Sequence, residues 1–208
     1  MSFYHWGAPV STGAQYNGVD MRGEVMLLSR NVKIQGNDTD AWGCQILTSD
    51  WVEGNKEQRI GTTFMDNVEI YNCSQYDTWK AAIRFEGHKL GFSRISNCSI
   101  HHGLGIAVNV QFAANVEFTG NNVFTFSRYG MVIQTSNNVS FDNNWVAGIF
   151  ERGMRVKSGG DTQGGIVACG HTKFDKCSNL TVTNNIVSSV ARNMVDAAGY
   201  SVPHFECN

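Results

Sequence analysis

A short alternation of apolar and polar residues recurs along the chain. In each good copy, an Asn is followed by two apolar residues that flank one polar residue. Alternation with a period of two predicts a β-strand with one buried face. The copies lie at 31–34, 67–70, 115–118, 138–141 and 179–182, with a degenerate copy at 92–95. We call the last residue of each copy its anchor.

The spacing of the anchors predicts a solenoid. Successive anchors are 36, 25, 23, 23 and 41 residues apart. Three of these steps agree with one another and indicate a single coil, since a fixed internal period is typical of repeat architectures. The two longer steps indicate a coil with an inserted loop, and we expect these loops at 50–60 and 157–174.

A second apolar column follows the anchors at constant distance. The positions 13 and 15 residues after each anchor are apolar in six of six and five of six copies. We therefore expect a right-handed parallel β-helix of about six to seven coils with two inserted loops; an antiparallel sandwich explains neither offset. The predicted columns are Leu47, Ile83, Val108, Met131, Met154 and Val195, then Ser49, Phe85, Val110, Ile133, Val156 and Ala197. For 188–199 a short helix is the alternative to a strand.

Two further columns predict a bend in every coil. Gly and Asn dominate the positions two and three residues after the anchors, and both tolerate left-handed backbone angles. Stacked Asn side chains can also form hydrogen bonds from one coil to the next. The columns are Gly36, Asn72, Asn97, Gly120, Asn143 and Asn184, then Asn37, Cys73, Cys98, Asn121, Asn144 and Asn185.

Composition and charge exclude some partners. Charged residues make up 16% of the chain, and the formal net charge is −2. This balance gives no reason to expect nucleic acid or an anionic membrane as partner. No apolar run reaches the roughly 18 residues of a membrane-spanning helix. Five N-x-S/T sequons favour an extracellular protein.

Two stretches resemble fibrocystin-like proteins. Residues 24–36, EVMLLSRNVKIQG, resemble the segment where that family enters its β-helix, and 99–103, SIHHG, resemble one of its coils. The likeness covers about 19–156. The resemblance implies large extracellular or cell-surface proteins, some of them ciliary, with pectin-lyase-like β-helices, and relatives linked to hyaluronan binding or breakdown. We accordingly expect 1–208 to be a single β-helix domain, a fragment of a larger extracellular protein.

His101 and His102 are the most enzyme-like residues. With Asp77 and Glu86 they form a candidate catalytic set, which with Arg84 and His88 could line a polysaccharide groove. Adjacent strand residues point to opposite faces, so we expect at most one of the two histidines in such a cluster. A hydrogen-bonded structural position is the favoured interpretation, with sugar binding and catalysis as alternatives. The aligned columns carry no stack of acidic residues, so no metal or other cofactor is expected.

The cysteines suggest two disulfides. Cys73 and Cys98 share a predicted column in neighbouring coils, which allows either a disulfide or a pair of buried thiols. Cys169 and Cys177 bracket a short loop, where a local disulfide is favoured over a zinc site.

The sequons differ in their predicted positions. Those at the coil edges are the expected glycosylation sites: Asn37, Asn138 and Asn179. Asn72 and Asn97 are expected to be buried in the bend columns, where glycosylation would be blocked.

Three functions remain in competition. We favour a structural or adhesive extracellular module that self-associates into filaments or joins neighbouring domains of the same chain. A carbohydrate-binding module would need an aromatic strip in one outward column, which the sequence does not clearly supply. A glycan-cleaving enzyme would need a compact acid or His cluster on one flank.

Overall fold

The computed structural model describes residues 15–16, 19–20, 25–37, 39, 42–76, 78–150, 164–169, 176–191 and 200–201. All regular structure within them is β-strand. In chain order the strands are β1 (Gln15–Tyr16), β2 (Val19–Asp20), β3 (Val32–Gln35), β4 (Ile46–Ser49), β5 (Trp51–Val52), β6 (Gln58–Arg59), β7 (Phe64–Asp66), β8 (Val68–Tyr71), β9 (Ile83–Gly87), β10 (Ser93–Ser96), β11 (Ser99–His101), β12 (Ile106–Thr119), β13 (Asn122–Phe126), β14 (Tyr129–Gln134), β15 (Asn137–Asp142), β16 (Trp145–Phe150), β17 (Gly164–Val167), β18 (Ser178–Thr183), β19 (Ile186–Ala191) and β20 (Tyr200–Ser201).

Most of these strands form three parallel sheets, which we call walls. Wall 1 holds β7, β10, the second half of β12, β15 and β18. Wall 2 holds β3, β8, β11, β13, β16 and β19. Wall 3 holds β4, β9, the first half of β12, β14, β17 and β20. The chain visits the walls in the order 1, 2, 3 and returns to pair with the preceding coil, so the predicted parallel β-helix is confirmed.

The core lies between the walls. On wall 3, Ile83, Val108 and Met131 are successive Cα partners, and all three are completely buried. Phe85 and Val110 belong to the neighbouring inward column and are equally buried. For these coils the two predicted columns are correct.

In the first coil the predicted column is shifted by one residue. Ile46, rather than Leu47, is the partner of Ile83. Leu47 pairs with Arg84 on the outer face and is 49% exposed. Thr48, rather than Ser49, is the partner of Phe85. The link between walls 2 and 3 is one residue shorter here than the constant offset assumed.

In the later coils an insertion displaces the column. Met131 is followed by Ile166 and then by Tyr200, so the predicted offset fails. The predicted members of the two columns in these coils lie outside the described residues: Met154, Val156, Val195 and Ala197. β19 confirms the strand predicted from 188, as far as Ala191.

The anchors belong to two walls rather than one column. Ile95, Phe118 and Phe141 stack on one another in wall 1. Ile70 instead stacks on Ile100 in wall 2. The sequence alignment therefore joined two different corners of the coil.

Both long anchor steps contain insertions. Residues 50–60 include the antiparallel hairpin of β5 and β6, as predicted for a loop. The second loop was placed too late, because β17 within the predicted 157–174 is a regular wall 3 strand. The insertion falls at 151–163, where 13 residues separate β16 from β17, against the two that separate β13 from β14.

Left-handed residues turn the chain at the corners. Between walls 1 and 2 these have φ of 52° to 66°: Asn67, Asn97, Gly120, Asn143 and Asn184. Asn72 has the same conformation but lies after wall 2, beside His102 and Thr125 in the next coils. Asn and Gly adopt this conformation most readily, so the prediction of a repeated bend is confirmed.

Candidate functional site

The two histidines form part of a polar cluster on the outer face of wall 2. His101 is 6% exposed, and its Nδ1 lies 2.7 Å from Nδ1 of His102. His101 Nε2 lies 3.4 Å from Glu69 Oε1, which is also 3.0 Å from Lys33 Nζ. The Tyr71 ring packs against both imidazoles, with centroid separations of 5.2 and 5.6 Å.

Both histidines therefore join one cluster, contrary to the prediction. The prediction assumed regular strand alternation, but β11 ends at His101 and His102 has a left-handed φ of 55°. That angle breaks the alternation and turns the second imidazole back towards the first. His102 also lies against Phe124 of the next coil, with a centroid separation of 5.9 Å.

Residues 25–30, which we call the strap, lie across wall 2 beside this cluster. The Arg30 backbone N–H donates to Glu69 Oε2 at 3.1 Å, and Arg30 Nε donates to the Asn97 carbonyl at 2.9 Å. Asn122 Nδ2 donates to the Leu27 carbonyl at 3.0 Å. These bonds tie the strap to three successive coils and leave Glu69 only 6% exposed.

The surroundings set the charge of the cluster at neutral pH. Burial raises the pKa of Glu69, but the hydrogen bonds from Lys33 and Arg30 and the charges of Lys33 and His101 outweigh it and lower the pKa overall. Burial lowers the pKa of His101, and the neighbouring His102 lowers it further. Glu69 is thus a carboxylate and His101 is neutral, an arrangement that stabilises the strap.

The other predicted catalytic residues do not join the histidines. Glu86 lies on wall 3, where it forms an ion pair with Arg84 of the same strand. His88 follows that strand, and its ring lies 5.9 Å from that of Phe112. Asp77 lies outside the described residues. The structure therefore places Glu86 and the two histidines on different walls.

The cysteine pairing differs from the prediction. Cys73 is bonded to Cys44, with a Cα–Cα distance of 4.2 Å, and Cys98 is free and buried. A Cys73–Cys98 disulfide is wrong because Cys73 follows a wall 2 strand and Cys98 follows a wall 1 strand. Burial raises the pKa of the Cys98 thiol, which donates to the Ser96 carbonyl and accepts from the Val68 N–H.

Cys169 and Cys177, the second predicted pair, are bonded in the structure, with a Cα–Cα distance of 5.6 Å. The bond joins the end of the fifth wall 3 strand to the residue before β18. The loop residue His171 lies outside the described residues.

The Asn residues after the wall 1 strands form a buried ladder. Asn121 Nδ2 donates to Asn144 Oδ1 at 2.9 Å, and Asn144 Nδ2 donates to Asn185 Oδ1 at 3.0 Å. Asn121 Oδ1 also accepts the Cys98 backbone N–H at 2.9 Å. The expected stacking of Asn between coils is confirmed. Asn97 is not part of this ladder and is exposed, contrary to the expectation of burial.

The predicted glycosylation sites have different surroundings. Asn37 is exposed, and its Oδ1 accepts from the Thr39 N–H and Oγ1 at 3.0 and 2.6 Å. Asn138 and Asn179 are also exposed, but each donates its Nδ2 to the Asn of the preceding coil at 2.8 Å. Glycosylation would attach to that same nitrogen. Asn37 therefore has the freest amide of the three.

The outer face of wall 1 carries a groove that the sequence analysis missed. The groove has a volume of about 140 Å³ and crosses several coils. Its lining residues are Phe92, Asn115, Val116, Glu117, Asn138, Val139, Ser140, Asn179 and Thr181. Phe92 stands at one end, 50% exposed, beside Phe64. Aligning outward-facing positions coil by coil would have revealed this face, but the anchors were assigned to the wrong walls.

Two carboxylates lie along the other margin of wall 1. Asp66 accepts from Ser96 Oγ and Asn97 Nδ2, and these hydrogen bonds lower the pKa of its carboxyl. Asp142 is held in the same way by residues of the following coil, with the same effect on its pKa. Within the described residues, no group of three or more His, Cys, Asp or Glu side chains could hold a metal ion. The same residues include no helix long and apolar enough to cross a membrane.

Stacked parallel walls, corner Asn residues and an in-register apolar core define this chain as a parallel β-helix protein. It belongs to the right-handed beta helix region family, whose profile matches residues 9–146 and 66–208. Human (Homo sapiens) Fibrocystin-L is similar to it, at 26% identity over 141 residues, which is 61% of this chain. The predicted fibrocystin-like β-helix is thereby confirmed. The chain spans 3% of the length of Fibrocystin-L. No solved structure matches the chain.

Proposed function

We propose that this chain is a structural β-helix module of an extracellular or cell-surface protein. The two disulfides support an oxidising compartment, since such bonds form and persist outside the cytosol. The exposed sequon at Asn37 and the similarity to Fibrocystin-L agree with this location. Self-association and contacts with neighbouring domains of the same polypeptide are the partners that such a module needs.

The observation that carries the proposal is the incomplete burial of the core at the ends of the solenoid. Val182 and Val187 of the last coil are half-buried, whereas their ladder partners Phe141 and Val146 are fully buried. At the other end, Val32 is 59% exposed. Apolar surface and strand edges of this kind are stabilised when another parallel coil stacks on them.

The wall 2 cluster favours a structural role over catalysis. A general base must come within hydrogen-bond reach of a substrate proton. His101 is buried beside the strap, and Glu86 is on another wall. The cluster is better suited to fastening the strap than to turning over a glycan.

Sedimentation velocity over a range of protein concentrations tests end-to-end stacking. We expect the wild-type sedimentation coefficient to rise with concentration, and electron microscopy to show rods that lengthen in parallel. Val187→Lys places a charge on the open end of the core and should keep the protein monomeric. Ser188→Lys, its neighbour on the outer face, is the matched control and should behave as wild type. Wild-type monomers at every concentration would contradict self-stacking.

A further inference from the structure

We infer that the groove on wall 1 binds a neutral oligosaccharide. The groove lies on the outer face of the sheet, away from the coil ends that the proposed stacking uses. It crosses β10, the second half of β12, β15 and β18. Its volume of about 140 Å³ is well below the roughly 300 Å³ of a pocket for a drug-sized ligand, so it suits one ring of a longer chain.

An exposed aromatic platform stands at one end of the groove. Phe92 and Phe64 are 50% and 68% exposed, and their ring centroids are 6.0 Å apart at an interplanar angle of 57°. Two adjacent, largely exposed phenylalanines leave apolar surface in water. The apolar C–H face of a sugar ring would cover it by packing on the Phe92 ring.

Amides and hydroxyls line the rest of the groove in fixed positions. Asn179 Nδ2 donates to Asn138, Asn138 donates to Asn115, and Asn115 donates to the Leu90 carbonyl at 3.1 Å. Each Asn thus keeps one further Nδ2 hydrogen for a ligand, and its orientation is already set. The row repeats with the spacing of the coils, about 4.8 Å.

The groove also offers hydroxyls that the fold itself does not use. None of the hydrogen bonds of the described residues involves the hydroxyls of Ser140 or Thr181, which line the groove opposite the amides. Hydroxyls both donate and accept, which matches the hydroxyl groups of a sugar.

The charge of wall 1 selects for a neutral ligand. Its strands carry three carboxylates, Asp66, Glu117 and Asp142, and one cation, Arg94. Arg94 Nε lies 3.5 Å from Glu117 Oε1, so the only cation of these strands is already paired. An acidic glycan would meet net negative charge and no free cation on these strands. A uronate-containing chain such as hyaluronan is therefore disfavoured.

Isothermal titration calorimetry of the full chain tests the proposal with three probes: cellohexaose, mannohexaose and a hyaluronan hexasaccharide. We expect at least one neutral hexasaccharide to bind more tightly than the hyaluronan hexasaccharide. Phe92→Ala should weaken that binding about tenfold, the loss expected for one aromatic contact. Phe112→Ala is the control, since Phe112 is also partly exposed, at 39%, but lies outside the groove.

A second variant fills the groove instead of removing a contact. Ser140→Tyr should abolish binding of the neutral hexasaccharide while circular dichroism and the thermal midpoint stay close to wild type. The inference is overturned if neither neutral probe binds at millimolar concentration, or if hyaluronan binds more tightly than both. It is overturned equally if Phe112→Ala weakens binding as much as Phe92→Ala, or if Ser140→Tyr leaves binding intact.

Discussion

At the scale of single residues, Asn performs two distinct tasks in neighbouring positions. Asn143 is exposed and turns the corner with a φ of 53°, while Asn144 beside it is buried and joins coil to coil. The first task needs a residue that tolerates left-handed angles, which Gly also does. The second needs an amide, because both a donor and an acceptor are required at one site.

Replacement of Asn144 by Ala should destabilise the fold by about 3 kcal/mol. The amide of Asn144 accepts from both nitrogens of Asn121 and donates to the Phe118 carbonyl, so its loss leaves several buried polar groups without partners. Urea unfolding measures the change. Asn143→Gly keeps the left-handed corner and should shift the free energy of unfolding by less than about 0.5 kcal/mol. Equal effects of the two variants would contradict the division of tasks.

The residue pattern predicted the corners but could not assign them to walls. Ile70 and Ile95 each begin the same phrase, in which an inward Ile is followed two residues later by a left-handed Asn and then by Cys. Both corners need that conformation, so the same residues were selected at each. The error placed Cys73 and Cys98 in one column and hid Cys44 as the partner of Cys73.

At the scale of elements, the strap depends on one buried carboxylate. Glu69 accepts the Arg30 backbone N–H and lies 3.0 Å from Lys33 Nζ. The resemblance to a family segment covered the strap in sequence, but nothing in the residue pattern predicted that it would lie across wall 2. Long-range hydrogen bonds such as Asn122 to Leu27 leave no periodic signal.

Glu69→Gln should be less stable than wild type at pH 7 by about 1–2 kcal/mol, because the charge-assisted bonds to the carboxylate are lost. The pKa of Glu69 is lowered below its ordinary 4.5, so this stabilisation is present above pH 4.5 and disappears as the pH falls through the lowered value. The difference between the two proteins should therefore shrink below pH 4.5. Urea unfolding at a series of pH values measures it.

Glu57→Gln is the matched control, since Glu57 forms an exposed ion pair with Arg59 in the inserted hairpin. Exposed pairs contribute little to stability, so this variant should stay close to wild type at every pH. A constant difference between wild type and Glu69→Gln from neutral to strongly acidic pH would contradict the assigned role of Glu69.

At the scale of the whole molecule, the repeat alone predicted the architecture. Columns that pack in register, such as Val108 on Ile83, require apolar residues at equal steps, and those steps survive in the sequence. The insertions were harder to place, because a loop between walls adds residues without a pattern of its own. The wall 1 groove depends on which outward residues become neighbours, and that follows only once each strand has its wall.

The central claim is that successive coils stack in register across the second insertion. Ser140 and Thr181 are Cα partners on adjacent parallel strands, although 41 residues separate them in sequence. Adjacent parallel strands are about 4.8 Å apart, within the range of a disulfide. The most direct test is mild oxidation of the double variant Ser140→Cys, Thr181→Cys, followed by peptide mapping. We predict a disulfide between the two introduced cysteines, and none in the control Ser140→Cys, Val182→Cys, because Val182 faces the core. Failure of the first pair, or ready formation of the second, would contradict the register and with it the fold.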